Sequence, residues 1–451
     1  VLDYFTNLGN DRTCNIKIKI MFSKTFVNKD ILIYGLGLSG NSCLKYLYKK
    51  NNIKIFDDNN SLKNKENKKF FLDKKKILET KFDYIVLSPG IDIKKCTLKN
   101  YLLRNLNMII TELDIFYLSY PNNIKITITG TNGKSTTCQM LYNIFKSKNL
   151  DVRLVGNIGK PPLKETKIKK NTIFIIEASS YQIFYNKYFK TDFAAILNLD
   201  VDHLERHKNI NQYAEAKVKL ICDQEKNKLS LIEKNSTIIN KQIKKRGVRS
   251  KVIKLAYDKV NYFKKKIYNN YLLDKNNLNN IHFVYKISKI FKISDCIIFK
   301  SLNVFRGLKF RKQIIINKPE LKIINDSKST SFSSTNRLLS TYKNIYWIVG
   351  GMFKKGDKFV LKRKNYKNIK AYIIGLNKKN FIDQFKNKIN FKYSKHLKKA
   401  ILTIKNDIKK DPNEKTILFS PAAASFDQFK NFEHRGNYFN SLIKKINFYG
   451  K

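Results

Sequence analysis

Short apolar runs alternate with amphipathic stretches along the chain, the pattern of strands that cross over through helices. The first run, 31–34, leads into a glycine turn and a helical stretch at 41–50, and runs at 53–56 and 84–87 follow. They predict a small doubly wound unit over 21–116, with Pro121 and its polar neighbours as a linker. Apolar runs at 124–129, 173–176 and 194–197, with a helical stretch at 281–291, predict a second unit over 117–303. A third, 304–451, carries runs at 322–325, 346–349, 371–374 and 416–419 between helical patterns. The expected fold class is therefore α/β, in three domains.

Size and composition fit this picture. A chain of 451 residues is too long for one ordinary core. Its hydrophobic share, 42%, is that of a soluble globular protein. No apolar run reaches the roughly 18 residues of a membrane helix, so no membrane insertion is expected. Cys14, Cys43, Cys96, Cys138, Cys222 and Cys296 are scattered without a CxxC pair, which suits a reducing cytoplasm better than a disulfide framework. The formal net charge of +55 invites a nucleic-acid reading. Its lysines, however, are spread over the whole chain and mixed with Asn and Ile, and no nucleic-acid-binding motif accompanies them. The expectation is a basic solvated surface without a nucleic-acid partner. Residues 1–20 look unlike the rest, begin with Val and lack the apolar core of a signal peptide. They are read as an extension upstream of a functional start at Met21.

The most specific local feature is Thr129-Gly130-Thr131-Asn132-Gly133-Lys134-Ser135-Thr136, which follows an apolar run and opens a helical one. Glycines let successive N–H groups turn toward a phosphate, and the helix N-terminus adds a favourable dipole. Lys134 offers charge to the β- and γ-phosphates and Ser135 a hydroxyl to Mg²⁺. The loop is tighter than the usual GxxxxGK[ST], because Ile128 stands where the first Gly should be. A second loop, Gly35-Leu36-Gly37-Leu38-Ser39-Gly40, fits GxGxxG, with Asp57 and Asp58 after the next run. By itself it leaves a dinucleotide oxidoreductase and a mononucleotide-linked substrate both open. Ser88-Pro89-Gly90 is placed to close the same crevice.

Glu177 ends an apolar run beside the phosphate loop, where a metal ligand belongs. His203 lies in the acidic stretch Asn198-Leu199-Asp200-Val201-Asp202-His203-Leu204-Glu205, after another run, and is a metal candidate too. His207 is expected at the surface. Lys217, in Gln212-Tyr213-Ala214-Glu215-Ala216-Lys217, is by composition one lysine among many.

Taken together, these motifs resemble the Mur ligase family, from Met21 to the C-terminus. The short TGTNGKST loop matches, as do Val155-Gly156-Asn157-Ile158-Gly159 and Asn325-Asp326-Ser327-Lys328-Ser329-Thr330. The block from Ser420-Pro421-Ala422-Ala423-Ala424-Ser425-Phe426-Asp427-Gln428-Phe429 through Phe432-Glu433-His434-Arg435-Gly436 is similar to that of the family's D-glutamate-adding branch. Three places depart from the pattern. Asn276-Asn277 replaces His-Asn, Lys309-Phe310-Arg311 replaces Pro-His-Arg, and Met352 stands where Asp is common. The segment between His203 and Lys217 is about one residue shorter than usual.

The resemblance implies a Rossmann-like N-terminal domain, a central P-loop ATPase-type domain and a Rossmann-like C-terminal domain. It implies ATP-dependent addition of D-glutamate to UDP-N-acetylmuramoyl-L-alanine through an acyl phosphate, in peptidoglycan precursor synthesis, by a monomer. Gly130, Thr131, Asn132, Gly133, Lys134, Ser135, Thr136, Asn277, Arg311 and Asp326 are the implied ATP contacts. Leu38, Ser39, Asp57, Gly90 and Asn157 fall to the UDP-linked substrate, and Lys328, Thr330, Lys354, Ser425 and Phe432 to D-glutamate. Two Mg²⁺ ions fall to Ser135, Glu177, His203 and a carbamylated Lys217, with Lys134, His203 and Lys217 as the catalytic set. Another amino-acid ligase of the superfamily, folate-linked ones included, is the alternative. An NAD-dependent oxidoreductase leaves the loop at 129–136 without a role.

Overall fold

A computed structural model describes residues 26–65, 67–200, 204–354, 356–409, 413–446 and 448, with backbone only at 204, 205, 276 and 337. The expectations for 1–20, Met21 and His203 fall outside the described residues.

Three sheets organise the chain. In the first, β1 (Asp30–Tyr34), β2 (Asn52–Phe56), β3 (Tyr84–Leu87) and β4 (Ile109–Ile110) stand in the order β2-β1-β3-β4, all parallel. The second holds β5 (Lys125–Thr129), β6 (Val152–Gly156), β7 (Ile173–Glu177), β8 (Phe193–Ile196), β9 (Leu229–Glu233) and β10 (Lys251–Leu255). Its order is β10-β9-β8-β5-β7-β6, again all parallel. The third comprises β11 (Gln313–Asn317), β12 (Leu321–Asn325), β13 (Ile345–Gly350), β14 (Ile369–Ile374), β15 (Asn390–Lys395) and β16 (Lys415–Phe419). It runs β11-β12-β16-β13-β14-β15, with β11 alone antiparallel.

The apolar runs become central strands because parallel strands covered by helices are buried on both faces. β5, β7 and β13 are buried at every residue. The helix after the first glycine loop starts earlier than expected, at Leu38–Leu47, because it begins directly at Gly37.

The chain forms two compact units, one ending at Phe305 and the other starting at Arg306. The first unit contains two sheets because one apolar core runs through both. Ile31 and Ile33 of β1 share a cluster with Ile176 and Ile196 of the second sheet, through Leu113, Ile115 and Phe116 of the helix Glu112–Ser119. A buried acid fixes that helix. One oxygen of Asp114 accepts from the N–H groups of Lys187, Tyr188 and Phe189 at 2.8, 2.6 and 2.9 Å. Its other oxygen accepts from Thr111 N–H and Oγ1. A carboxylate with five donors is one whose desolvation is offset.

Candidate active site

In a parallel sheet every strand end of one kind lies on one edge, and the carboxyl edge is where ligands bind. β5 stands between β7 and β8 there, with Ile128 opposite Glu177 and Thr129 opposite Ile196. The phosphate loop, Glu177 and the stretch from Asn198 are thereby brought to one place. Gly133 caps the helix Lys134–Ser147 in the left-handed region, φ +84°. A Cβ there would stand 2.4 Å from Asn280 Oδ1. The lining loop is held by side chains beyond the motif itself. Asn198 Oδ1 accepts from Asn132 N–H at 2.8 Å, Asn198 Nδ2 donates to Asn132 O at 3.0 Å, and Thr131 Oγ1 accepts from Asp200 N–H at 3.0 Å. Lys134 Nζ donates to the carbonyls of Gly130 and Thr131, both at 2.8 Å.

Ser135 and Glu177 form a buried pair, Oγ donating to Oε2 at 2.6 Å. The exposed Asn157, next along the edge after β6, donates Nδ2 to Glu177 Oε1 at 3.1 Å. A hydroxyl and a carboxylate side by side at a phosphate cradle are hard oxygen donors of the kind Mg²⁺ takes. Lys217 also reaches this edge. It sits in the helix Ile210–Cys222, is 1% exposed, and donates Nζ to Thr129 Oγ1 at 3.2 Å and Gly130 O at 3.0 Å. Its ammonium lies 4.7 Å from the centre of the Tyr213 ring. An ammonium cannot ligate a cation, so a metal ligated by Lys217 requires that its nitrogen first lose its positive charge.

His207 is a correction. It is 2% exposed rather than a surface group, because its ring stacks on Tyr181 and its Nε2 lies 3.0 Å from Ser180 Oγ. Arg206 beside it reaches the first sheet. Its guanidinium donates to Ile91 O, lies 3.9 Å from Asp92 and covers the Tyr181 ring at 5.1 Å. It thus ties the turn after β3, which contains Gly90, to the edge of the central sheet.

At the first glycine loop, Leu38 is 75% exposed and Ser39 half-buried. Asp57 Oδ2 accepts from Leu36 N–H at 2.6 Å, and Asp58 accepts from Tyr34 OH at 2.8 Å. Ser88 Oγ donates to Gly35 O at 2.6 Å, which ties the turn after β3 to the glycine loop. On the helix Lys275–Ile290, Asn277 and Asn280 are both buried, one turn apart. Asn277 donates to Tyr271 O at 2.7 Å, and Asn280 is the residue that faces Gly133. Asn280 was not singled out from the sequence, although its spacing of three from Asn277 on a helix puts both on one face.

The third sheet gathers the remaining candidates at its own carboxyl edge. Asp326 follows β12 and is buried. Desolvation pushes its carboxyl up to about 6, with Ser420 and the Lys312 N–H opposing. Half-buried Arg311 adds a cationic influence. Lys328 lies 4.0 Å from the centre of the Phe432 ring, Thr330 is exposed, Lys354 half-buried and Ser425 buried. Phe432 is the first residue of the helix Phe432–Lys445, so its N–H has no partner within the helix. Arg435 of that helix is 1% exposed and holds the edge together. It donates to Ser327 O at 2.7 Å, Ala423 O at 3.0 Å and Ser327 Oγ at 3.1 Å. Phe310 is buried against Gly436, where a Cβ would meet its ring at 2.3 Å. Met352 exchanges backbone hydrogen bonds with Ala424. Phe310 is thus used in packing, whereas Met352 pairs through its backbone alone and leaves its side chain exposed.

Known proteins match this chain closely. Residues 128–294 match the Mur ligase middle domain and 29–110 the MurD-like N-terminal domain of Mur ligases. The UDP-N-acetylmuramoylalanine--D-glutamate ligase of Rickettsia bellii is 32% identical over 445 residues, covering 93% of this chain and 98% of that one. The protein of the same name from Buchnera aphidicola is 35% identical over 455 residues, covering 94% and 100%. Among solved structures, the MurF ligase of Thermotoga maritima in complex with ADP shares the fold at TM-score 0.52 and 14% identity, covering 94% of this chain and 97% of that one.

Proposed function

Because the chain belongs to the Mur ligase family, we propose that it joins D-glutamate to UDP-N-acetylmuramoyl-L-alanine, using ATP to activate the carboxylate. The observation that carries this reading is the convergence at one sheet edge of the Gly130–Gly133 turn, Lys134, the Ser135–Glu177 pair and buried Lys217. In this reading residues 21–116 hold the UDP end, 117–303 the ATP and 304–451 the amino acid.

A carboxylate is a poor electrophile at neutral pH. Transfer of the γ-phosphoryl group makes it an acyl phosphate, and the amine of D-glutamate then displaces phosphate through a tetrahedral intermediate. Lys134 exchanges its contacts with the Gly130 and Thr131 carbonyls for phosphate oxygens, and the loop N–H groups orient the chain of phosphates. The hard-oxygen pair at Ser135 and Glu177 fits Mg²⁺, which when bound offsets the repulsion between carboxylate and triphosphate. Asn157, hydrogen-bonded to Glu177, orients that carboxylate. Carbamylation of Lys217 supplies the anion that a second Mg²⁺ needs, with His203 as its companion. On the third sheet, Lys328, Lys354, Thr330 and Ser425 supply the cations and hydroxyls for the two carboxylates of D-glutamate, with the Phe432 N–H. Asp326 and Arg311 serve the nucleotide.

Phosphate release with ATP, Mg²⁺ and UDP-N-acetylmuramoyl-L-alanine should depend on D-glutamate and not on L-glutamate. Equal rates with either enantiomer, or release that needs neither, would sink the proposal. Lys217→Ala should lose essentially all turnover and regain part of it with a small carboxylic acid, and unaltered turnover would refute the carbamate.

A further inference from the structure

A file of hydroxyl groups leads from buried Asp326 to the surface of the second unit. Ser420 Oγ donates to Asp326 Oδ2 at 2.8 Å. Thr335 Oγ1 lies 2.8 Å from Ser420 Oγ, Ser329 Oγ lies 2.6 Å from Thr335 Oγ1, and Ser334 Oγ lies 2.6 Å from Ser329 Oγ. Thr335 and Ser420 are 0% exposed and Ser329 4%, while Ser334 is exposed. Four hydroxyls on three separate segments are thus joined end to end. They are the turn after β12, the first turns of the helix Phe332–Thr341 and the end of β16.

A hydroxyl both donates and accepts, so such a file has a direction once one end is fixed. The ionised carboxyl of Asp326 fixes it. Ser420 donates its one hydrogen bond to Asp326, which leaves the Ser420 oxygen to accept from Thr335, and Thr335 to accept from Ser329. Buried polar groups that are all satisfied hold their segments in one arrangement, and a missing member leaves its neighbours unpaired. The segment so held is 328–331, which carries Lys328 and Thr330. Its backbone is also tied by Lys328 N–H to Phe310 O at 3.0 Å, by Ser329 N–H to Asp326 O at 2.9 Å, and by Ser331 O, which accepts from Ser334 Oγ at 2.7 Å.

We propose that the hydroxyl file Ser420–Thr335–Ser329–Ser334 is a positioning device for the amino-acid substrate, fixing segment 328–331 against Asp326. This rests on the reading above that Lys328 and Thr330 bind the incoming amino acid. Thr335, Ser329 and Ser420 are buried, so they act on its KM by holding Lys328 and Thr330 in register.

The test is Thr335→Val, which keeps the shape and removes the central hydroxyl, beside Thr335→Ser, which restores it. Thr335→Val should raise the KM for D-glutamate about tenfold, leave kcat and the KM for ATP within about twofold, and Thr335→Ser should behave as the parent. Amide hydrogen exchange of 328–331, read on the same proteins without substrate, should be faster in Thr335→Val alone. Unaltered exchange and KM in Thr335→Val overturn the proposal. So does a parallel fall of kcat that Thr335→Ser fails to rescue, since that marks packing only. If Thr335→Val does not fold, Ser329→Ala cuts the same file. A parent active with another amino acid and not with D-glutamate overturns the substrate reading instead, and the KM for that amino acid then serves the same comparison.

Discussion

The two glycine loops of the first unit share a plan of strand, turn and helix, yet the charged groups beside them differ. In the loop that opens the helix Leu38–Leu47, an acid already occupies one of the N–H groups, since Asp57 accepts from Leu36. The first turn of that helix carries no charge. In the loop that opens Lys134–Ser147, a lysine and a hydroxyl lead the helix, and the nearby acid, Glu177, is engaged by the hydroxyl. Glycine spacing specifies a turn, and the companion charges choose the ligand. A loop with a carboxylate suits a sugar hydroxyl beside a pyrophosphate, and a loop with an ammonium and an oxygen pair suits a triphosphate with its metal.

The comparison breaks most sharply at Gly133. Its φ of +84° strains any other residue, and an added Cβ would stand 2.4 Å from the amide of buried Asn280. Gly133→Ala should therefore lose at least about a hundredfold in ATP-dependent phosphate release, worth about 2.7 kcal/mol of transition-state stabilisation. Turnover within a few-fold of the parent would mean that the loop does not cradle phosphate.

An effect on stability rather than turnover separates the loops by pH. Beside the first loop, Glu112 is 4% exposed, and burial pushes its carboxyl up to about 7, with the Ser39 hydroxyl opposing. Its Oε1 has no hydrogen-bond partner among the described residues. The folded protein thus holds this proton more tightly than the unfolded chain does. Stability should fall as pH rises from the ordinary carboxylate range, about 4.5, toward 7, and level off above it, by at most about 3 kcal/mol. Glu112→Gln, which cannot ionise, should remove that slope from the melting temperature measured between pH 5 and 8. An identical slope in the variant would assign it to other groups.

How much of this was legible beforehand follows from what each feature depends on. The central strands were visible because a strand buried on both faces is a continuous apolar run, as in the stretch Ile173-Phe174-Ile175-Ile176. The edge strands β10 and β15 were not, because their faces are half in water and lysines interrupt their sequences, KVIKL and NFKYSK. β6, the opposite edge of the second sheet, and β9, next to β10, were missed as well, because Arg153 interrupts the apolar run of VRLVG and Ser230 that of LSLIE. The phosphate loop was legible because its chemistry is contiguous. The burial of His207, the reach of Arg206, the place of Asn280 and the hydroxyl file were not. Each depends on partners many residues away, and no local pattern marks a serine that will meet a threonine from another segment.

The finest distinction lies among the glycines of the first loop. A Cβ on Gly40 would stand 1.8 Å from Gly35 O and one on Gly35 2.8 Å from Ser88 Cβ, whereas one on Gly37 meets nothing within 4 Å. Gly37 also has an ordinary φ of −64°, so alanine fits its backbone. The packing of the fold therefore needs Gly35 and Gly40 but not Gly37. If the open space at Gly37 is where the backbone approaches the pyrophosphate, its missing side chain serves the ligand alone. Gly37→Ala should then melt within about 1 kcal/mol of the parent, the cost of an altered helix cap. It should raise the KM for UDP-N-acetylmuramoyl-L-alanine several-fold at unchanged kcat and unchanged KM for ATP. An unchanged KM for that substrate would move the pyrophosphate away from this loop. A large loss of stability would mean that Gly37, like Gly40, is there for the fold.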